Sequence, residues 1–92
     1  MKVEYSKRAL AQMDKIFAYI ARDNVTAAAA VVDKIESCAR LAGEFPYAGR
    51  KTEKEVVRVL LVHPYPYLLF YMVLPRPPKV RVLSIRHGAM RR

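Results

Sequence analysis

Apolar residues along this chain recur with two different periods, and the change from one to the other falls near residue 50. In the first part Leu10, Met13, Ile16, Phe17 and Ile20 are spaced by three and four, opposite polar positions such as Arg8, Gln12 and Lys15. That spacing predicts an amphipathic helix from residue 7 to about residue 22, with those five side chains on its apolar face and Ser6 as its N-cap. Ahead of it, Val3 and Tyr5 alternate with Lys2 and Glu4, which suits a short half-buried strand. Asp23-Asn24 breaks the helical pattern. A second helix, capped by Asn24 or Thr26, then runs through an alanine-rich stretch to about residue 42, with Ala28, Val31, Val32, Ile35, Ala39 and Ala42 on its apolar face. Gly43, by accepting a left-handed turn, and Pro46, by being unable to continue a helix, are expected to end it. So short a link between two helices predicts a hairpin.

Beyond the turn-forming Phe45-Pro46-Tyr47-Ala48-Gly49-Arg50, residues 51–55 read as a charged loop. The pattern then becomes that of strands. Segments 56–62, 67–74 and 79–86 are rich in Val, Leu, Tyr, Phe and Ile, and His63-Pro64-Tyr65-Pro66 and Pro75-Arg76-Pro77-Pro78 separate them. Connections this short join only antiparallel neighbours. Residues 67–73 are apolar on both faces, which puts this strand in the middle of the sheet. The predicted fold class is α+β: an N-terminal strand, an α-helical hairpin, then a three-stranded antiparallel meander with the helices packed on one face. The other face then needs a cover or a partner. Halves of a 92-residue chain are too small to bury separate cores, so residues 1–92 are expected to form one domain.

Charge changes the picture more than composition does. Residues 1–50 carry 8 Lys and Arg against 6 Asp and Glu, whereas residues 51–92 carry 9 against 2, so the two parts contribute +2 and +7 to the net charge of +9. A field of that sign attracts nucleic acid, an anionic membrane or an acidic protein segment. The start of the chain lacks the apolar core of a signal peptide, and no apolar run approaches the roughly 18–20 residues that span a bilayer, so a cytoplasmic protein without membrane contact is expected. Cys38 stands alone and reads as a small buried residue of the second helix.

Candidate chemistry narrows quickly. Gly43, Gly49 and Gly88 are not spaced as a phosphate loop, His63 and His87 are not spaced as metal ligands, and Glu53 and Glu55 sit in the charged loop. No cofactor and no metal are therefore expected. What remains is Arg58 in the first strand of the meander, Tyr65, Tyr67 and Tyr71 at or before the second, Arg81 and Arg86 on the third, and His87 at its exit. Guanidinium groups clamp phosphate, aromatic rings stack on unpaired bases, and histidine exchanges protons near neutral pH, so the set suits RNA. The same residues also read more plainly. Tyr67 and Tyr71 share a strand face and suit core or interface packing, and the arginines suit a solvated or partner-facing side.

Several strings resemble the RelE/ParE toxin superfamily, on its ParE-leaning branch. They are Tyr5-Ser6 followed by Ala9 and Leu10, Ile16-Phe17-Ala18-Tyr19-Ile20 after Asp14, Phe45-Pro46 leading to Gly49-Arg50, Tyr65-Pro66-Tyr67 entering Phe70-Tyr71, and Ile85-Arg86-His87-Gly88. The resemblance covers essentially the whole chain. It implies the toxin of a type II toxin–antitoxin system, held in a hetero-oligomer by a cognate acidic, ParD-like antitoxin. Its branches differ in target: ParE-like members poison DNA gyrase, and RelE-like members cut messenger RNA on the ribosome. The end of this chain, Gly88-Ala89-Met90-Arg91-Arg92, lacks the C-terminal tyrosine of the RelE-like nucleases, and Lys51 and Lys54 stand near their catalytic lysines with shifted spacing. The reading is thus a gyrase poison without chemistry of its own. The alternative is an endoribonuclease using Arg58, Arg86 and His87, with Lys51, Lys54 and Arg81 on the nucleic acid. A second alternative is a basic nucleic-acid-binding module without toxicity.

Overall fold

The computed structural model describes residues 1–88. Strand β1 (Lys2–Tyr5) leads into helix α1 (Lys7–Ala21), where the Ser6 hydroxyl accepts from the Ala9 amide at 3.0 Å, the N-cap bond expected from the sequence. Helix α2 (Val25–Glu44) starts at Asn24, not Thr26, because the Asn24 side chain accepts from the Ala27 amide at 2.9 Å. Strands β2 (Arg50–Lys51), β3 (Val57–Val62), β4 (Tyr67–Pro75) and β5 (Pro78–His87) complete the chain.

The α+β architecture is the one expected, with β4 central and both helices on one face. The sheet order is β1-β5-β4-β3-β2. Strands β2 to β5 pair antiparallel, whereas β1 pairs with β5 in parallel, so the sheet is mixed. Arg50 and Lys51, expected in a turn and a charged loop, form a short edge strand because their backbones face Val59 and Arg58.

Core residues come from the helices and from one face of the sheet. Ala9 and Met13 of α1 and Val31, Ile35, Ala39 and Ala42 of α2 meet Val62, Leu69, Tyr71, Val80, Val82 and Ile85. Alanines at four fully buried helix positions, Ala9, Ala28, Ala39 and Ala42, let the helix backbones approach the sheet and each other closely. Two expectations need correcting. The apolar face of α1 turns so that Met13 is buried and Ile16 and Ile20 pack on the core, while Leu10 and Phe17 lie exposed on the flank. A single helix face cannot point all five side chains at a sheet when a second helix occupies one side. Gly43 does not end α2 by a left-handed turn: it is helical, buried and has no positive φ. A Cβ there would come within 2.7 Å of Val3 Cγ2 and 2.9 Å of the Met1 carbonyl oxygen, so glycine serves close passage of β1.

Candidate functional site

On the sheet face away from the helices, β4 presents Leu68, Phe70 and Met72, paired with Leu61, Val59 and Val57 of β3 and with Arg86, Ser84 and Arg81 of β5. Alternation along β4 dictates this, since Leu69 and Tyr71 point into the core. The face opens as a groove of about 910 Å³ whose floor includes Val59, Leu61, Leu68, Phe70 and Leu83. Around it stand Arg8 from α1, Arg50 and Lys51 from β2, Lys54 from the following loop and Arg86 from β5, with Glu53 as the one lining carboxylate among the described residues. Leu61 is 56% exposed. An apolar floor inside a cationic rim accepts a ligand that is acidic and also has apolar side chains or bases to bury.

Three of the rim cations, Arg86, Lys54 and Arg50, have a structural reason for their place. Arg86 lies over the Phe70 ring, 5.5 Å from its centroid, a cation–π contact that lays the guanidinium across the floor. Lys54 is set by Thr52, whose hydroxyl accepts from the Lys54 amide at 3.1 Å and lies 2.9 Å from the Val57 carbonyl. Arg50 follows a loop latched from below. The buried Tyr71 hydroxyl accepts from the Gly49 amide at 2.9 Å and donates to the Pro46 carbonyl at 2.8 Å. Arg58 Nη1 donates to the Gly49 carbonyl at 2.8 Å and to the Tyr47 carbonyl at 3.3 Å, and its guanidinium sits 4.9 Å from the Tyr47 ring centroid. Gly49 itself is required, because a Cβ would come within 2.7 Å of the Tyr71 hydroxyl oxygen.

The residues singled out in the sequence are distributed as follows. Lys51, Lys54 and Arg86 line the groove together. Arg58 does not join them: it pairs with Tyr71, on the helix side, and holds the loop. His87 pairs with Tyr67, also on the helix side, and meets that ring edge-on at 5.5 Å between centroids. Tyr67 and Tyr71 are four residues apart, about 13 Å along a strand, so Arg58 and His87 are well separated as well. Arg81 is on the groove side of β5 but is held by Glu4, which also takes Lys79 at 3.2 Å. The Arg81 guanidinium first, then the Lys79 ammonium, keeps the Glu4 carboxyl below the usual carboxylate range. The cationic end, Arg91-Arg92, lies outside the described residues.

Sequence reasoning missed Arg8, Arg50 and Phe70. Arg8 read only as the polar side of a helix, although its place in the first turn, next to the start of the sheet, was a usable signal. Phe70 was legible in retrospect, since Tyr67, Leu69 and Tyr71 on one face leave Leu68 and Phe70 on the other. Burial pushes the hydroxyls of Tyr5, Tyr67 and Tyr71 and the half-buried Cys38 thiol upward from their ordinary pKa values. Among the described residues no three His, Cys, Asp or Glu side chains group as a metal ion requires.

Residues 3–92 match the family model described as the ParE toxin of type II toxin-antitoxin system, parDE. The chain belongs to the ParE toxin family. It is thus a RelE/ParE superfamily toxin of the type II class. A relative in Sinorhizobium fredii (strain NBRC 101917 / NGR234), Y4kP, by its name a toxin, is 31% identical over 87 residues, which is 95% of this chain and 88% of the relative. Among solved structures, a chain of the chromosomal ParDE TA system from P. aeruginosa superposes with a TM-score of 0.80 at 22% identity, covering 95% of both chains. A YoeB/ParE toxin from Agrobacterium tumefaciens superposes with a TM-score of 0.67 at 18% identity, covering 95% of this chain and 98% of that one. These two likenesses establish a shared fold. No helix among the described residues is long and apolar enough to cross a membrane.

Proposed function

We propose that this ParE-family toxin, acting in the cytoplasm as one domain over residues 1–92, arrests growth by binding and poisoning DNA gyrase without chemistry of its own. A cognate acidic, ParD-like antitoxin holds it inactive by laying a segment in the groove. Family membership supports the target, and one observation supports binding over cutting. Arg58, Arg86 and His87, the residues a nuclease would need together, stand on two faces of the sheet, and Arg58 is engaged by two carbonyls. The five rim cations among the described residues and the apolar floor match an acidic segment that also carries apolar side chains. A supercoiling assay with purified gyrase tests the reading: inhibition or trapped double-strand breaks is the expected result, and no effect at micromolar toxin refutes it.

A ribosome-dependent endoribonuclease is the second reading, favoured by Lys51, Lys54 and Arg86 sharing the groove with the Phe70 ring. It predicts codon-phased cuts by primer extension after brief induction. The absence of such cuts removes it.

A further inference from the structure

Strand β5 changes phase part-way along its length. Tyr71 pairs with Val82, but the preceding Phe70 pairs with Ser84, so Leu83 is one residue extra on β5. Val80 and Val82 point into the core before the bulge, and Ile85 points in after it. Strict alternation from Val82 would send Ser84 and Arg86 inward and leave Ile85 out. The bulge is therefore what aims Arg86 at the groove.

A bulge leaves backbone groups off the ladder, and here they lie where β5 has just lost its other neighbour. Strand β1 pairs with β5 only as far as Tyr5 opposite Val82. Beyond that point the N-cap Ser6 and helix α1 supply the partners. The Ser6 amide donates to the Val82 carbonyl at 2.9 Å, the Ser6 hydroxyl donates to the Leu83 carbonyl at 2.9 Å, and Gln12 Oε1 accepts from the Ile85 amide at 2.7 Å. Gln12 is in the second turn of the helix, half-buried, and reaches across 73 residues of sequence to do this.

We infer that Gln12 is a positioning residue: its carboxamide oxygen takes the place of the missing strand beside Ile85 and holds the phase change that presents Arg86 over Phe70. This role rests on the proposed use of the groove for its importance to toxicity, but not for its geometry. An Ile85 amide without an acceptor is a buried donor with no partner, and the bulge can relax by slipping β5 one residue. That slip buries Arg86 and exposes Ile85, so the groove loses a cation and the core loses an apolar side chain.

The test compares Gln12→Leu, which removes the acceptor at similar size, with Gln12→Glu, which keeps an oxygen in place, using 15N-labelled full-length toxin. Two signals report geometry without reference to activity: hydrogen exchange at the Ile85 amide, and the ring-current shift that Phe70 imposes on the Arg86 δ-protons. Gln12→Leu is expected to speed Ile85 exchange about 30-fold and to abolish the Arg86 shift, and Gln12→Glu to restore both. Should Gln12→Leu not fold, Gln12→Asn, too short to reach Ile85, is read by the same two signals with the same expectation. Unchanged Ile85 exchange and an intact Arg86 shift in whichever of the two acceptor-removing variants folds overturns the inference. Growth arrest separates the two readings: loss of the Arg86 shift with full toxicity leaves Gln12 as the positioning residue and counts against the groove as the functional surface.

Discussion

Replacing Tyr71 with phenylalanine removes one oxygen from the core and two hydrogen bonds from the loop that carries Arg50. The ring stays, so its place in the buried core cluster on the helix side is kept. The Gly49 amide, in a buried residue, loses its partner, which costs about 1–3 kcal/mol for a donor left unsatisfied. The Pro46 carbonyl is half-buried and regains water, so its loss is nearer the net value of an ordinary hydrogen bond, about 0.5–1.5 kcal/mol. Together they amount to about 2–4 kcal/mol, a large part of the stability of a domain this size. At about 4–8 °C per kcal/mol, the melting temperature falls by about 10 °C or more.

The assay is urea unfolding of wild type and Tyr71→Phe followed by far-UV circular dichroism, with the slope expected to be unchanged and the midpoint lowered. The pH dependence gives an independent check. Burial raises the Tyr71 hydroxyl above its ordinary value of 10, with the Gly49 hydrogen bond and the Arg58 charge pulling it partly back. The folded state thus holds the proton more tightly than the unfolded chain. Its contribution is complete below pH 10 and disappears as the pH rises through the raised value. Tyr71→Phe should therefore lose less stability than wild type above pH 10, with Tyr5 and Tyr67 supplying the slope that remains. A midpoint shift worth under about 0.5 kcal/mol would refute the assignment of the latch to Tyr71.

Gly49→Ala should destabilise by about 1–3 kcal/mol, because its Cβ meets the Tyr71 oxygen at 2.7 Å and the Val59 carbonyl oxygen at 3.0 Å; a melting temperature within a degree of wild type would count against the close approach. Glu4→Gln should flatten the acid limb of the stability curve: Glu4 is held below its ordinary 4.5, so its contribution is present above that value and lost as the pH falls through the lowered one. Thermal melts between pH 5 and pH 3 check this, and parallel curves for the two proteins contradict it. Arg50→Glu combined with Arg86→Glu should weaken binding of an acidic antitoxin segment by about 100-fold and reduce its salt dependence in titration calorimetry. Unchanged affinity would mean that the antitoxin lies elsewhere.

Much of the fold was legible because periodicity reports burial directly. The meander needed only three apolar segments and two proline turns, and the centrality of residues 67–73 followed from their being apolar on both sides. The parallel pairing of β1 with β5 was not legible, since no local signal ties Val3 to Val80 across most of the chain. Strand β2 was hidden because Arg50 and Lys51 have the composition of a turn, and only Val59 and Arg58 opposite them make a strand. At the site, residue type picked out Lys51, Lys54, Arg58, Arg81, Arg86 and His87 as one set but gave no facing, and of these Lys51, Lys54 and Arg86 line the groove. Arg58 went to the opposite face by plain alternation against Tyr71, whereas Arg86 reached the groove through a bulge that alternation cannot reveal. Gly43 shows the same limit: a glycine after a helical run reads as a stop, and only the position of Val3 explains why a glycine stands inside the helix.

The pairing of β1 with β5 sets an order of events during synthesis. The first strand made has no neighbour in the sheet until residues 78–87 exist, and both Arg86 and the bulge that aims it are on that same last strand. Contacts so distant in sequence form late and slowly. The helical hairpin can assemble early, but the groove has neither its far wall nor its stacked arginine until the final strand docks. A nascent chain therefore lacks the groove until residues 78–87 have been made, and with it the surface proposed above for the antitoxin.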